Sequence, residues 1–430
     1  MKIKDKIIIN TFWLMSEKVI NVFGLIFVTS FVAKYIGPSD FGKLNLASYI
    51  FSLLQTVAIW GTDTLCVKRI SKNRNSGFNL LNSLTLLRTV IFFIIAAPTL
   101  IYIYLFSDFI TFLFSFAVAI STFVYIQDIY IIANNATYNS KNNVISNVIG
   151  LILTLFMRYL IVFFKMDIIF LSAPIVSLTL IPYIIRNIFF TRNNGFVFSH
   201  INKDVKSKYS RYIFITGAPL VLSSISVAIY FNTSRLMLGA LESSKALGIY
   251  AVALTLGSSW SFINNSFITS MTPKLYSTNK DDDAAYYSCV MSQFVILISI
   301  CYLACFLFVG GFIIHHLYGP GYSSAFIVTI PIILSTCLSS LGMPTSRYIV
   351  KNNGYSFLGK KTVFLCLIAI PVSYILIIKF GILGAAYSTL IVEFASLTFL
   401  NYFFKKGLIL KLHSRLFNPK VIISFVRTGK

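Results

Sequence analysis

Composition, the length of the apolar segments and the placement of the charges predict an all-α integral membrane protein with about twelve transmembrane helices. Hydrophobic residues make up 57% of the 430 residues and charged residues only 11%, whereas a soluble domain carries about 25% charged residues. The mean hydropathy is +0.81. One globular core cannot hide such an apolar excess, so lipid must be the solvent. Apolar runs of about 20 residues without strand-like alternation fit helices that cross a hydrocarbon layer of about 30 Å.

Apolar runs, and the polar, Gly and Pro residues that interrupt them, define twelve predicted spans in order along the chain. They cover residues 8–32, 43–66, 79–104, 109–132, 145–164, 168–189, 212–231, 247–270, 287–313, 325–345, 362–379 and 382–404. The longest hydrophilic connection divides these spans six and six. We therefore predict four regions: an N-terminal six-helix bundle at 1–190, a basic cytoplasmic linker at 191–211, a second six-helix bundle at 212–404 and a basic cytoplasmic or interfacial tail at 405–430.

The basic residues support this order and predict an orientation. With a cytoplasmic N-terminus, 27 of the 36 Lys and Arg residues fall in inner segments and six in outer segments. The other three, Lys18, Arg88 and Arg158, fall within spans. Short loops on the cytoplasmic side are enriched in Lys and Arg, so both termini are predicted to be cytoplasmic. The inner loops also account for the formal net charge of +23, and no basic face remains that would indicate a nucleic-acid partner.

Short segments of the two halves resemble each other at an offset of 206 residues. Residues 41–47 (FGKLNLA) lead into span 2, and residues 247–253 (LGIYAVA) lead into span 8. Because each half has an even number of spans, the two bundles would share one orientation and be related by a pseudo-two-fold axis along the membrane normal. Chance similarity between apolar helices is the alternative.

Polar side chains within the spans are candidate site residues, because a charge inside a bilayer is costly and tends to face a cavity. Spans 1, 2 and 8 carry polar residues at helical spacing, which predicts a water-filled central cavity. The candidates for its lining are Glu17, Asn21, Asn45, Ser52, Gln55, Asn264 and Asn265. Hydrogen bonding between neighbouring helices is the alternative for these small polar groups.

Arg88 and Arg158 lie deep in spans 3 and 5. A guanidinium group binds phosphate through a bidentate fork, so Arg88, Arg158 and Lys18 are candidates for holding an anionic head group. Internal pairing with Glu17 or Asp128 is an equal alternative. The candidates for ion coupling or gating are Glu17, Asp63, Asp128, Arg235 and Glu393. The six cysteines form no C-x-x-C pair, so neither a metal site nor a disulfide is predicted, and no cofactor is expected beyond coupling to a proton or sodium gradient.

Four motifs, in order along the chain, resemble those of polysaccharide export flippases of the Wzx (RfbX-like) type. Residues 36–42 (IGPSDFG) are similar to an L-G-P-x-x-[FY]-G element, and residues 217–220 (GAPL) to a G-x-P-L element. Residues 235–239 (RLMLG) with 247–250 (LGIY) resemble an R-x-M-L-G…L-G-x-Y block, and residues 380–386 (FGILGAA) an F-G-x-x-G-A-A element. One departure is that Ser234 precedes Arg235 where the family often has Asp. A charge pair of the relatives is therefore missing here.

This resemblance implies the multidrug/oligosaccharidyl-lipid/polysaccharide exporter fold and a transporter rather than an enzyme. It implies translocation, by alternating access, of undecaprenyl-pyrophosphate-linked oligosaccharide from the cytoplasmic to the periplasmic leaflet of a bacterial inner membrane. Such oligosaccharides are repeat units of O-antigen or a similar surface polysaccharide, and membrane lipid, a polysaccharide polymerase and chain-length proteins are the implied partners. A cation-coupled multidrug exporter of the same fold is the alternative, although the excess of Arg and Lys disfavours it. An O-antigen polymerase is a weaker alternative, because it needs a long outer loop.

Overall fold

A computed structural model describes residues 3–137, 139–194, 203–278 and 280–417, apart from a number of side chains, most of them before residue 29. Across these residues the secondary structure is helical and contains no strand. Seven of the helices are long and apolar enough to cross a membrane, or eight if one pair bent by 41° is taken as a single span. The prediction of an all-α membrane protein is therefore confirmed.

The chain divides into two compact units, Met1–Asn232 and Thr233–Lys430. The first unit contains α1 to α7 and most of α8. These helices are α1 (Ile3–Ile59), α2 (Thr62–Lys72), α3 (Arg74–Phe106), α4 (Phe109–Gln127), α5 (Ile129–Ala136), α6 (Ser140–Phe163), α7 (Ser172–Asn194) and α8 (Lys203–Leu241). The second unit begins within α8. The boundaries predicted for the bundles, the linker and the tail stay predictions.

The second unit continues with seven further helices. They are α9 (Ser244–Ser258), α10 (Ser261–Ser277), α11 (Asp281–Ile313), α12 (Ala325–Lys351), α13 (Tyr355–Leu397), α14 (Phe399–Tyr402) and α15 (Leu408–Ser414). A short π-helical turn at Ile314–Tyr318 extends α11. The helix α13 contains predicted span 11 and most of span 12, just as α1 contains predicted span 1 and most of span 2.

Single glycines separate the paired spans within these two long helices. Gly37 has φ 76° inside α1, and Gly381 has φ 56° inside α13. Glycine adopts positive φ at little cost, so one residue is enough to end one span and begin the next. The sequence predicted loops at 33–42 and 380–381, whereas the structure places a helix break at one residue in each. This division is consistent with the predicted count of twelve spans.

The predicted spans 2 and 8 are each broken, at a tryptophan. Trp60 has φ 54° between α1 and α2; its Nε1 donates to Phe214 O at 3.0 Å, and the two rings stack with centroids 4.9 Å apart. Trp260 lies between α9 and α10, and its Nε1 donates to Gly257 O at 2.8 Å. The two tryptophans lie 200 residues apart, near but not at the offset of 206 residues between 41–47 and 247–253, and the internal repeat stays a prediction.

The segment after α13 folds back onto the second unit. Ile409 and Leu412 of α15 are buried in one apolar cluster with Cys289 and Ile349, which belong to α11 and α12. Gln293 Nε2 donates to Leu416 O at 3.0 Å. The first part of the predicted basic tail is therefore packed on protein, while residues 418–430 lie outside the described chain, and their predicted interfacial position stays a prediction.

Candidate functional site

Three of the candidate residues lie on the first part of α1. Glu17, Lys18 and Asn21 fall in this helix, but their side chains lie outside those that the structure describes. Their proposed roles in substrate binding, cavity lining and coupling stay predictions.

The candidates on spans 2 and 8 lie in α1 and α10. Asn45 Nδ2 donates to Phe41 O at 2.7 Å, and Ser52 Oγ donates to Tyr49 O at 2.8 Å, so both bond to their own helix. Gln55 is half-buried, as is Asn265. Asn264 is fully buried, and neither its Nδ2 nor its Oδ1 has a hydrogen-bond partner within the described chain. The structure does not bring these residues into one cluster within either unit, and their role in a substrate cavity stays a prediction.

Arg88 of α3 forms an ion pair with Asp63 of α2, in which the guanidinium is buried and the carboxylate is half exposed. Arg88 is 2% exposed, and its Nη2 lies 2.5 Å from Asp63 Oδ1. The same nitrogen donates to Thr62 Oγ1, and Nη1 donates to Ile126 O at 3.1 Å. The guanidinium is therefore neutralised inside the first unit. Internal pairing was one of the two alternatives for this residue, and the described partner is Asp63 rather than Asp128.

Asp128 pairs instead with Arg186 of α7. Nε and Nη2 of Arg186 donate to Asp128 Oδ2 at 2.8 and 2.5 Å, and Nη1 donates to Asn147 Oδ1 at 2.5 Å. The side chains of Asp128 and Arg186 are 1% and 4% exposed. Asp128 Oδ1 is buried and accepts no hydrogen bond from the described residues. Both members of this pair lie within helices that can cross the membrane.

Sequence reasoning missed Arg186, because it counted this residue with the inner-loop cations. The position is nevertheless inside predicted span 168–189. A carboxylate buried at residue 128 needs a cation or a hydrogen-bond donor to offset its desolvation. The isolated position of Asp128 within a span therefore indicates that a basic residue of a neighbouring span lies beside it.

The two ion pairs meet where α4 ends and α5 begins. Ile126 accepts a hydrogen bond from Arg88, Gln127 Nε2 donates to Thr89 Oγ1 at 2.5 Å, and Asp128 binds Arg186. We call Asp63, Arg88, Asp128, Asn147 and Arg186 the polar junction. It connects α2, α3, α6 and α7 to the α4–α5 break, and its two guanidinium groups are balanced by two carboxylates.

A cavity of about 320 Å³ lies beside the Asp128–Arg186 pair, inside the first unit. Its polar lining comes from Tyr125, Asp128, Asn135, Asn147, Thr179 and Arg186. Asn143, on the cavity wall, donates to Asn135 Oδ1 at 3.0 Å and accepts from Asn134 Nδ2 at 2.8 Å. The wall is thus made of amide groups that hydrogen bonds hold in fixed orientations.

Arg158 of α6 differs from the two paired arginines. It is half-buried, and the described residues supply it with neither a carboxylate within salt-bridge distance nor a hydrogen-bond acceptor. Its positive charge is therefore not offset by a described contact, unlike the charges of Arg88 and Arg186.

The second unit contains a cluster of three hydroxyl groups that includes Ser234. Ser234 Oγ lies 3.1 Å from Ser373 Oγ and 2.9 Å from Ser388 Oγ, and all three residues are buried. Arg235, which follows Ser234 in the chain, is half-buried. Serine hydroxyls can serve each other as donor and acceptor, so the cluster needs no ion to be satisfied.

Glu393 lies in the same unit, on α13. It acts electrostatically on Lys361, whose Nζ donates to Asn401 Oδ1 at 2.9 Å. The coupling or gating roles of Asp63, Asp128, Arg235 and Glu393 stay predictions. Among the described residues, no group of three or more His, Cys, Asp or Glu side chains could hold a metal ion.

Residues 7–279 match the family model described as polysaccharide biosynthesis protein. The capsular polysaccharide biosynthesis protein CapF of Staphylococcus aureus is 27% identical over 213 residues, which is 48% of this chain and 52% of that protein. The match thus spans about half the length of this curated relative.

Solved transporters share the fold over nearly the whole chain. An inward-facing multidrug resistance MATE family transporter of the MOP superfamily matches with a TM-score of 0.70 at 13% identity, covering 96% of each chain. The lipid II flippase MurJ in an inward closed conformation also matches with a TM-score of 0.70, at 14% identity, covering 98% of this chain and 93% of that one. A MOP superfamily transporter from Pyrococcus furiosus matches with a TM-score of 0.56 at 12% identity, covering 95% of each chain.

These similarities confirm the predicted family and the predicted fold, which is one of membrane transporters and not of enzymes. The chain therefore belongs to the polysaccharide biosynthesis protein family and is a multi-pass membrane protein with the MOP superfamily fold.

Proposed function

We propose that this protein is a flippase that moves undecaprenyl-pyrophosphate-linked oligosaccharide repeat units across a bacterial inner membrane. It would carry them by alternating access from the cytoplasmic to the periplasmic leaflet, with both of its own termini in the cytoplasm. The observation that carries this proposal is the family match over residues 7–279, in a chain whose fold is also that of a lipid II flippase. The repeat unit would belong to an O-antigen or a similar surface polysaccharide.

The physical requirement for such a carrier is a polar path for the head group alone. Sugars and a pyrophosphate cannot enter hydrocarbon without a large desolvation cost, whereas the polyprenyl tail never has to leave the lipid. A guanidinium in the membrane would compensate the phosphate charge through charge-assisted hydrogen bonds. Arg158 is the leading candidate for this contact, because no described carboxylate neutralises it. Arg88 and Lys18 remain further candidates, and Arg88 would first have to leave Asp63.

The proposed partners follow from the same activity. The protein would receive its lipid-linked substrate at the cytoplasmic surface and deliver it to a polysaccharide polymerase and chain-length proteins. A proton or sodium gradient would supply the energy, with Glu17 or Glu393 as the ion-binding carboxylate. Asp63 and Asp128 suit this role less well, since each is held by an arginine.

A multidrug exporter is the second candidate, because a MATE transporter matches the fold with the same TM-score as the lipid II flippase. The two proposals differ in the charge of the substrate. Typical substrates of a cation-coupled drug exporter are cationic, and the desolvated charge of Arg158 would repel them. This difference favours the anionic lipid-linked saccharide.

The test uses the purified full-length protein in liposomes that contain lipid-linked repeat units extracted from a strain lacking the gene. A membrane-impermeant glycosidase added outside reports the fraction of glycan in the outer leaflet. We expect digestion to rise from about half of the glycan to nearly all of it when the protein is present. Digestion that stays at about half, together with efflux of a cationic dye, would instead identify a drug exporter.

A control in cells separates the flippase from a polymerase. Cells without the gene should accumulate single repeat units on the cytoplasmic leaflet and lose their surface polysaccharide. Single units that reach the periplasm but remain unpolymerised would contradict the flippase proposal.

A further inference from the structure

The cavity beside Asp128 and Arg186 has the chemistry of a small ligand site. Its volume of about 320 Å³ is at the lower end of the range of about 300–1,000 Å³ typical of small-molecule sites. Six of the nine lining residues carry planar polar groups, among them the amides of Asn135 and Asn147 and the guanidinium of Arg186. Leu178 and the ring of Tyr125 add an apolar surface. Such a lining offers both donors and acceptors to a ligand that carries several hydroxyl groups.

The charge of the cavity selects a neutral ligand. Arg186 and Asp128 are the charged groups that line it, and they neutralise each other through two hydrogen bonds to one oxygen. An anion would meet the Asp128 carboxylate without any surplus positive charge, and a cation would meet the Arg186 guanidinium. A polar molecule without charge faces neither penalty.

One polar group on the wall is buried beneath the surface, and another is exposed to a ligand. Asp128 is only 3% exposed, and its buried Oδ1 accepts no hydrogen bond from the described residues. A buried acceptor in this state costs free energy until a donor reaches it. Asn135 is exposed at the edge of the cavity, and its Oδ1 is held by Ser140 Oγ at 2.8 Å. The hydrogen bond fixes the plane of the Asn135 amide, and Tyr125, which also lines the cavity, is 40% exposed.

From these observations we propose that the cavity is a binding site for one neutral sugar ring. Its hydroxyl groups would contact the exposed amide of Asn135 and the amide of Asn147. This inference rests on the proposed function in one respect, namely that the ring belongs to the transported glycan. In the predicted orientation the cavity lies toward the cytoplasmic ends of α4, α6 and α7, on the side where the glycan is assembled. The site would therefore recognise the glycan, and a basic side chain outside the cavity would bind the pyrophosphate.

The binding experiment uses the full-length protein in nanodiscs and three probes, the methyl glycosides of glucose, galactose and N-acetylglucosamine. Saturation-transfer NMR measures which glycoside contacts the protein. We expect transfer to at least one of them, with affinity reduced about fivefold to tenfold in Asn147→Leu and in Asn135→Leu, the scale of one lost hydrogen bond. Asn142→Leu is the matched control, because Asn142 lies on α6 outside the cavity lining, and it should bind like the native protein.

Three results would overturn the inference. They are the absence of transfer to all three glycosides, equal affinities in the native protein and both cavity variants, and displacement of the glycoside by inorganic pyrophosphate. Exposed Asn135 is included because Asn147→Leu also removes a partner of Arg186 and could lower the yield of folded protein. Normal glycosidase accessibility in the liposome assay, combined with no glycoside binding, would reject the sugar site and leave the flippase proposal intact. Glycoside binding without translocation would reject the flippase proposal and leave the sugar site.

Discussion

Arg186 and Asp128 are joined so that two guanidinium nitrogens, Nε and Nη2, donate to a single carboxylate oxygen at 2.8 and 2.5 Å. The third nitrogen of Arg186 donates to Asn147, so the pair ties α7 to α6 and to the α4–α5 break. The side chains of Asp128 and Arg186 are only 1% and 4% exposed, so water has little access to replace a lost partner. Breaking the pair is therefore costly, although the pair itself need not add net stability.

Removal of one member should destabilise the protein more than removal of both. Asp128→Ala leaves Arg186 buried and unpaired, which we expect to cost about 3–5 kcal/mol. The double variant Asp128→Leu/Arg186→Met replaces both charges by apolar side chains and should cost clearly less than the sum of the two single variants. Thermal unfolding of the detergent-solubilised protein would measure these differences.

Asp63→Ala is the matched control for that experiment. Asp63 also pairs with an arginine, but its side chain is 49% exposed, so we expect the loss of stability to be smaller than for Asp128→Ala. A native melting temperature for Asp128→Ala, or additive losses in the double variant, would contradict the role assigned to the buried pair.

The two deep arginines should respond differently to the same substitution. Arg88→Gln removes a charge that is buried against Asp63, Thr62 and Ile126, so we expect a loss of about 3 kcal/mol or more in stability. Arg158→Gln breaks no described contact, and its stability should stay within about 0.5–1 kcal/mol of the native value. If Arg158 holds the diphosphate, translocation should fall at least about tenfold.

The rates of translocation must be compared at equal amounts of folded protein. Arg158→Lys keeps a positive charge without the planar fork and should recover part of the activity. Full activity in Arg158→Gln would remove this residue from the diphosphate site, and Lys18 and Arg88 would then be the remaining candidates.

The sequence was sufficient to predict the all-α membrane class, the order of the spans and the family, because composition, hydropathy and local motifs carry that information. It was not sufficient to pair Asp128 with Arg186. These residues are 58 positions apart, and which helix faces meet is decided by packing rather than by any local pattern. The same limit explains why Arg88 was assigned two possible partners, Glu17 and Asp128, and why Asp63 was not considered as a third.

The breaks inside spans 2 and 8 show a second limit of sequence reasoning. Trp60 is not a residue that normally ends a helix, and its positive φ is uncommon for a bulky side chain. It is held there by the contact of its ring and Nε1 with Phe214, which is 154 residues away. The tertiary contact therefore supports a backbone conformation that Trp60 does not prefer, and the local signal for the break is the next residue, Gly61, with φ 62°.

Gly37 should be sensitive to the smallest possible substitution, although there is space for a side chain. A Cβ at this position would meet nothing within 4 Å, but φ is +76°. Gly37→Ala should therefore cost about 1–3 kcal/mol through backbone strain alone. Gly342→Ala is the control, because a Cβ there also meets nothing while its position inside α12 is helical. It should be neutral or slightly stabilising. Equal melting temperatures for the two variants would contradict a strained break at Gly37.

The docking of α15 should weaken in acid because of His413. Burial lowers the pKa of His413 to about 4, from 6.5 in the unfolded chain, and its ring nitrogens lie 3.3 Å from Thr345 Oγ1 and Tyr402 Oη. Between these two pKa values the undocked segment binds a proton that the docked segment does not. The stability of docking is therefore fully present above about pH 6.5 and falls as the pH drops toward 4.

Hydrogen exchange of residues 408–417, corrected for the intrinsic effect of pH, would measure this change. We expect protection to decrease from pH 7 to pH 4.5 in the native protein, and to become nearly independent of pH in His413→Phe, which keeps a ring in the same cluster but cannot bind a proton. Leu412→Ala is the control for packing, since Leu412 is 3% exposed in the same apolar cluster. It should lower protection at every pH by a similar factor and leave the slope with pH unchanged. If the protection of residues 408–417 in the native protein does not change over this pH range, the low pKa of His413 does not depend on the docking of α15.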